Sequence, residues 1–153
     1  MTTLPTSGHR LAAPPEALDE DPPLSTVMSR DVVAIDAEAR LPTALQVMAT
    51  TGVRHLPVLD RGRVLGMLME TDLIQCLAAE GRPFATSVTV PLRQLYRPAP
   101  ELPSTARVSD AARLMSADVS DAVLVTEHGR VLGIVTATDL VRLLARRDAR
   151  STP

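Results

Sequence analysis

RGRVLGMLMETDLIQCLA at residues 61–78 and HGRVLGIVTATDLVRLLA at residues 128–145 are one pattern written twice. Gly62 matches Gly129, Gly66 matches Gly133, Thr71 matches Thr138 and Asp72 matches Asp139, all at an offset of 67 residues. The same offset runs upstream through Met48 and Met115, Ala44 and Ala111, and Arg40 and Arg107. The chain therefore contains an internal duplication. Two copies are too few for a solenoid, in which each unit covers only its neighbours. The copies are expected to pack on each other as a pseudo-symmetric pair.

Within each copy the apolar residues define the elements. Leu41, Ala44, Leu45 and Met48 recur at helical spacing, as do Val108, Ala111, Ala112 and Met115. Two apolar strands follow, over 56–59 and 64–69, joined by the polar turn Asp60-Arg61-Gly62-Arg63. The second copy gives strands over 122–126 and 131–136 around Glu127-His128-Gly129-Arg130. Glycine in so short a turn marks a hairpin, because it reaches positive φ without a Cβ clash. A further helix carries Leu73, Ile74 and Leu77 in one copy and Leu140, Val141 and Leu144 in the other. A short strand over 32–35 precedes the first helix. Its counterpart over 99–102 holds prolines and is expected to pair less well. The second hairpin strand is almost continuously apolar, which predicts cover on both faces.

The fold class is then α+β, two pseudo-symmetric β-α-β-β-α repeats packed sheet to sheet. Residues 23–80 make the first repeat, 81–91 the connector and 92–147 the second. Pro5, Pro14, Pro15, Pro22 and Pro23 break any helix in a stretch without apolar periodicity, so 1–22 is expected to be a disordered tail. Residues 148–153 form a short C-terminal tail.

Composition narrows the function. With 153 residues, 45% hydrophobic and 22% charged, the chain has the make-up of a globular protein. A net charge of -2 gives no broad basic field for nucleic acid. Phe84 and Tyr96 are its two aromatics, so the stacking platform used on single strands is missing. The lone Cys76 excludes an internal disulfide and a CxxC metal site. No run approaches the ~20 apolar residues of a membrane span. The first residues lack the basic and apolar regions of a signal peptide, so a cytoplasmic location is expected.

The HLPVLD…GRVLGMLMETDL and GRVLGIVTATDL stretches, in two registered copies, resemble a tandem CBS domain, the Bateman module. The resemblance covers about residues 27–145. It implies two pseudo-twofold clefts between the repeats that bind AMP, ADP, ATP or related adenosine compounds. It also implies pairing of modules into a homodimer, and regulation of another protein rather than catalysis.

The family signature is a glycine at a strand end, a Thr or Ser three residues on, and an Asp three beyond. The second copy has it complete in Gly133, Thr136 and Asp139. By resemblance, Asp139 accepts hydrogen bonds from vicinal ribose hydroxyls, which a carboxylate does strongly. Thr136 supplies a hydroxyl at a helix start, where free N–H groups favour an anion. Thr-x-x-Asp before an apolar helix is also a capping box, and the two roles can coexist. Across that cleft the resemblance implies contacts from Ser29, Val33, Ala34, Val53, Arg54 and His55. The valines offer apolar surface to adenine and Arg54 a fork for phosphate. His55 reads equally as a packed residue, and Arg54 as the partner of a surface carboxylate.

The first copy departs from the signature. Gly66 and Asp72 are present, but Met69 replaces the hydroxyl residue. At the offset of 67 the opposite wall becomes Tyr96, Pro100, Glu101, Ser120, Asp121 and Ala122, and an aspartate in the place of Arg54 would repel phosphate. One competent site is expected, with Asp72 marking a weak second cleft.

Other constellations add little. His9, His55 and His128 occupy non-equivalent positions, and HExxH, GxSxG and P-loop patterns are missing, so no catalytic group is assembled. Cys76 on an apolar helix reads as a small buried hydrophobe. Arg142, Arg146, Arg147 and Arg150 suit the negative end of a helix dipole, or a docking patch for an acidic partner or nucleic acid. The expected function is a stand-alone, non-enzymatic module that binds an adenine nucleotide in one inter-repeat cleft and signals to an unidentified protein, without metal or cofactor. The alternative is a ligand-free interaction scaffold on the same fold.

Overall fold

The computed structural model describes residues 20–80 and 91–148. The expected tails and connector lie largely outside these residues. The first copy contains α1 (Leu24–Val27), β1 (Ile35–Asp36), α2 (Leu41–Thr51), β2 (His55–Asp60), β3 (Arg63–Met69) and α3 (Glu70–Glu80). The second begins with a 3-10 turn (Leu92–Gln94) and continues through β4 (Glu101–Pro103), α4 (Val108–Asp118), β5 (Ala122–Glu127), β6 (Arg130–Thr136) and α5 (Ala137–Asp148).

The duplication is reproduced pair by pair. Each copy forms a three-stranded sheet, β1-β2-β3 and β4-β5-β6, with the first pair parallel and the hairpin antiparallel. Ile35 stands opposite Val58 as Leu102 stands opposite Val125. Both hairpins slip register at the matching place, after Val58 and after Val125. Gly62 and Gly129 turn them at φ 79° and 76°, the positive values that the sequence pattern anticipates.

Four details differ from the sequence reading. The strand expected over 32–35 pairs only at Ile35–Asp36. Its counterpart, expected to be the poorer, is the longer at Glu101–Pro103. The reason is that β4 is an edge strand, where a proline's missing N–H is not needed; the Leu124 N–H donates to the Pro100 carbonyl, which proline retains, at 2.9 Å. The last helices bury a narrower stripe than periodicity suggests. Leu73 is fully buried, whereas Ile74, Val141 and Leu144 are exposed. On α4, Ala112 is exposed and Leu114 packs against the core in its stead.

Each sheet has a helix-covered face. Leu56, Val58 and Leu68 meet Leu41, Ala44, Met48 and Leu73 in the first repeat, while Val123, Val125 and Val135 meet Ala111 and Met115 in the second. The other faces meet in a small seam of Met67, Ala122 and Leu124, edged by Val64, Val131 and Ile134.

The repeats also exchange their leading segments. Leu24 and Met28, at the start of the first copy, are buried in the core of the second. Leu92, at the start of the second, is buried in the core of the first beside Leu95 and Tyr96. Backbone bonds fix both hooks. Ser29 and Ile134 exchange N–H···O bonds at 2.9 Å each, and Arg97 and Met67 do so at 3.0 and 2.8 Å. Gly133 and Gly66 permit this approach. A Cβ on Gly133 would lie 2.7 Å from the Ser29 carbonyl oxygen, and one on Gly66 2.4 Å from that of Arg97. The first hook is further tied to the start of α4. The Val108 N–H donates to the Pro22 carbonyl at 3.1 Å, and the Ser109 hydroxyl and N–H donate to the Asp21 carboxylate at 2.6 and 2.8 Å. Asp21 and Pro22, read from sequence as tail, are thus bonded to the second repeat.

Two predictions follow from the hooks. Gly133→Ala should cost about 1–3 kcal/mol by overpacking against Ser29. Gly129→Ala, with open space around its Cβ, should cost about 1 kcal/mol from positive φ alone; urea melts of both variants give the comparison. The bonds from Ser109 hold the Asp21 carboxyl below the usual carboxylate range. A depressed folded value contributes stability above the unfolded value and loses it as pH falls through the folded one. The difference in melting temperature between the native chain and Asp21→Asn should therefore be present near neutrality and shrink below about pH 4.

Candidate functional site

The first hook, the loop before β2 and the start of α5 enclose a cleft of about 480 Å3. Ser29, Val33, Val53, Arg54, His55, Thr136 and Asp139 all line it, so seven of the residues expected from sequence come together. Ala34 does not line it. There the chain leaves the cleft to become β1, whose next residue, Ile35, is buried against the helices.

Asp139 makes the cap that its spacing allows. Its Oδ2 accepts the Thr136 N–H at 2.9 Å and the Thr136 hydroxyl at 2.8 Å, while the Asp139 N–H donates to Thr136 Oγ1 at 3.3 Å. This is a reciprocal capping box at the start of α5. Oδ1 takes no part. It faces Arg142 Nη1 at 3.9 Å and accepts no hydrogen bond among the described residues. The carboxylate therefore retains an acceptor oxygen while it caps the helix.

The floor of the cleft ties the two repeats together. His55 Nε2 lies 2.6 Å from Asp121 Oδ1, and the His55 side chain is only 11% exposed. His55 is thus both a packed residue and part of the lining. The Ala137 N–H donates to the Asp121 carbonyl at 2.8 Å, and the Glu70 N–H to the Arg54 carbonyl at 2.9 Å, the same bond in each copy. Arg54 pairs loosely with Glu70 at 3.7 Å and stays 78% exposed, so its guanidinium is accessible from the cleft. Surface pairs of this kind are weak and easily exchanged.

Three further charged residues, Asp31, Asp121 and Arg142, escaped the sequence reading of this cleft. Arg142 was legible as the residue one helical turn after Asp139. Asp121, assigned by offset to the other cleft, faces this one because His55 draws it across the seam.

The second cleft is built differently. Sequence offset matched Ser29 to Tyr96, but Ser29 pairs with Ile134 and Arg97 with Met67, the counterpart of Ile134. The counterpart of Ser29 is therefore Arg97; the stretch from hook to sheet is one residue shorter in the second copy. Arg97 Nη2 donates to Asp72 Oδ1. The Asp72 side chain is 12% exposed, and its Oδ2 is buried without a hydrogen-bond partner. Beside the pair lies a smaller cleft of about 330 Å3, lined chiefly by Met67, Met69, Pro98, Pro100 and Val119.

Among the described residues no group of His, Cys, Asp and Glu is placed to hold a metal ion, and no helix is long and apolar enough to cross a membrane.

With this geometry in hand, known proteins fix the family. The CBS domain model matches residues 24–79 and 93–146. The chain belongs to the CBS domain family, as a tandem pair of such domains. Uncharacterized protein MJ1225 of Methanocaldococcus jannaschii is 26% identical over 140 residues, 85% of this chain and 50% of that protein. Its crystal structure superposes with a TM-score of 0.72 over 83% of this chain and 49% of that one, at 23% identity. The CBS domain pair of protein MJ0100, crystallised with 5'-methylthioadenosine and S-adenosyl-L-methionine, superposes with a TM-score of 0.74 over 83% of this chain and 98% of that one, at 20% identity. Homoserine O-acetyltransferase of Methanococcoides burtonii is 27% identical over 122 residues, 79% of this chain but 24% of that enzyme. The chain thus spans half of one curated relative and about a quarter of the other. The structural likenesses carry the α+β fold of two paired repeats.

Thr136→Ala removes the cap hydroxyl and should lower stability by about 0.5–2 kcal/mol, whereas Thr136→Ser should stay close to the native chain; chemical denaturation checks both.

Proposed function

We propose that this CBS pair is a non-catalytic regulatory module that binds an adenine nucleotide of the AMP, ADP or ATP class in the Asp139 cleft. The observation that carries this reading is the division of labour within one carboxylate. Oδ2 of Asp139 serves the helix cap and Oδ1 is spared, in a cleft that also holds the Val33 and Val53 side chains and the exposed Arg54 guanidinium. A carboxylate oxygen at a helix start suits a ribose hydroxyl, apolar side chains suit the face of adenine, and a guanidinium suits phosphate. A volume of about 480 Å3 falls in the range of small-molecule sites. The two adenosine compounds held by the MJ0100 pair support the same ligand class.

Ser29, Val33, Ala34, Val53, Arg54, His55, Thr136 and Asp139 were the contacts anticipated. Ala34 leaves that set, and Arg142 joins it as a second cation. The ligand would touch both repeats, so its binding adds to their mutual packing and shifts the population of arrangements that a cytoplasmic partner protein senses.

Calorimetric titration with AMP, ADP, ATP and S-adenosylmethionine tests the reading. Asp139→Asn keeps an acceptor for the cap but loses the charge. It should weaken binding by about ten- to a hundredfold, the worth of a hydrogen bond to a charged group, while Asp72→Ala should leave the affinity unchanged. Absence of saturable binding to the intact chain, or an unaltered affinity in Asp139→Asn, would sink it.

A scaffold reading draws on a different observation. Ile74, Val141 and Leu144 are 55%, 64% and 59% exposed, and Ile74 and Val141 are counterparts on α3 and α5. Matching apolar residues on two pseudo-symmetric helices suit a homodimer with a shared twofold axis. Val141→Glu with Leu144→Glu should then shift sedimentation from dimer to monomer, and unchanged sedimentation would remove those faces from any interface.

A further inference from the structure

We propose that Arg97 is a built-in occupant of the second cleft, a cation that holds Asp72 and keeps that site closed to a nucleoside. The inference rests on the reading of these clefts as nucleotide sites. Both clefts are assembled by the same operation: a hook residue pairs with the second hairpin strand and is thereby presented to the acidic residue at the next helix start. In the first cleft that residue is Ser29, bonded to Ile134, and its hydroxyl is too short to neutralise Asp139. In the second it is Arg97, bonded to Met67, and its guanidinium pairs with Asp72.

The surroundings of Asp72 explain why a long cation suits the place. Met69 stands where Thr136 stands in the other copy, so Asp72 lacks the cap that engages Asp139 Oδ2. One of its oxygens is bonded to Arg97 and the other is buried without a partner. A carboxylate 12% exposed requires compensation for lost hydration, and Arg97 supplies the one donor that it has among the described residues. A ribose diol brings two donors to such a carboxylate. Arg97 therefore takes the bonding position that a nucleoside would need, while its own backbone is fixed by two hydrogen bonds to Met67.

With Arg97 removed, the cleft would suit a neutral ligand. Met67, Met69, Pro98, Pro100 and Val119 offer apolar and thioether surface, and the remaining charge beside them is acidic. The latent ligand is an uncharged adenosine compound rather than a polyphosphate. Methionine methyl groups in the cleft report occupancy directly.

The test is an NMR titration of methyl-labelled methionine with adenosine, in the intact chain, in Arg97→Ser and in Arg97→Ser with Asp72→Ala. Arg97→Ser gives the second cleft the side chain of the first. Saturable shifts of Met67 and Met69 in Arg97→Ser, absent from the intact chain and lost in the double variant, are expected. Equal shifts in the intact chain, or none in Arg97→Ser, would overturn the proposal. Arg97→Gln, which retains length and loses charge, serves the same test if serine loosens the hook. Failure of the Asp139 reading is seen separately, as absence of saturable AMP, ADP or ATP binding to the intact chain by calorimetry.

Discussion

The backbone pairing of each repeat's leading hook with the other repeat's second hairpin strand is the contact on which the rest of the molecule depends. It buries Leu24 and Met28 in one core and Leu92 in the other, so neither core is complete within its own repeat. Full burial of a leucine or methionine side chain is worth about 1.5–3 kcal/mol, so Leu24, Met28 and Leu92 contribute on the same scale as the seam of Met67, Ala122 and Leu124. The hooks, as much as the facing sheets, hold the pair together. They impose one strict demand, that Gly66 and Gly133 carry no Cβ. The glycine that opens the family signature is thus explained by chain packing before any ligand is considered.

The same exchange creates both clefts and then lets single residues make them unequal. A hook residue that pairs at Ile134 or Met67 lies next to the helix start that follows the strand. Serine there leaves room, and arginine fills it. Threonine at position 136 gives its aspartate a cap partner and frees one oxygen; methionine at position 69 leaves its aspartate dependent on the arginine. The helix ends diverge likewise. Gly52 ends α2 at φ 74°, while its counterpart Val119 ends α4 at φ 50°, a conformation that a β-branched side chain adopts at a cost of about 1–3 kcal/mol. That valine is 86% exposed and lies at the edge of the methionine-lined cleft.

The duplication, the hairpins and the inner face of each helix were legible because they rest on periodicity, which a single sequence displays. Gly62, Gly129, Leu41, Ala44, Met48 and Met115 all fall where spacing puts them. The hooks were not legible. They are short, rich in proline and without period, and their burial depends on a partner surface elsewhere in the chain. The missing residue between hook and sheet in the second copy was hidden for the same reason. No periodic residue spans it, so a constant offset carried Ser29 to Tyr96 rather than to Arg97. Most of the Asp139 cleft could be named from the resemblance, since its residues follow from family positions. Asp121 could not, because its direction is set by His55 across the seam and not by its own neighbours. Ile74, Val141 and Leu144 misled in the opposite sense: helical spacing shows which residues share a face but not where the core ends.

A ligand in the Asp139 cleft would act on this architecture through the contacts that hold it together. The cleft is bounded by Ser29 from the hook, Val53 to His55 from the first repeat and Thr136 to Arg142 from the second. Between the repeats these segments are joined by the Ser29–Ile134 pair and the His55–Asp121 pair. A molecule that contacts all three would add a tie between the repeats and stabilise their packing by mass action. The second cleft has such a tie already in Arg97 and Asp72. The two sides of the pair therefore differ: Asp72 is bonded to a residue of the other repeat, whereas Asp139 makes its hydrogen bonds within its own.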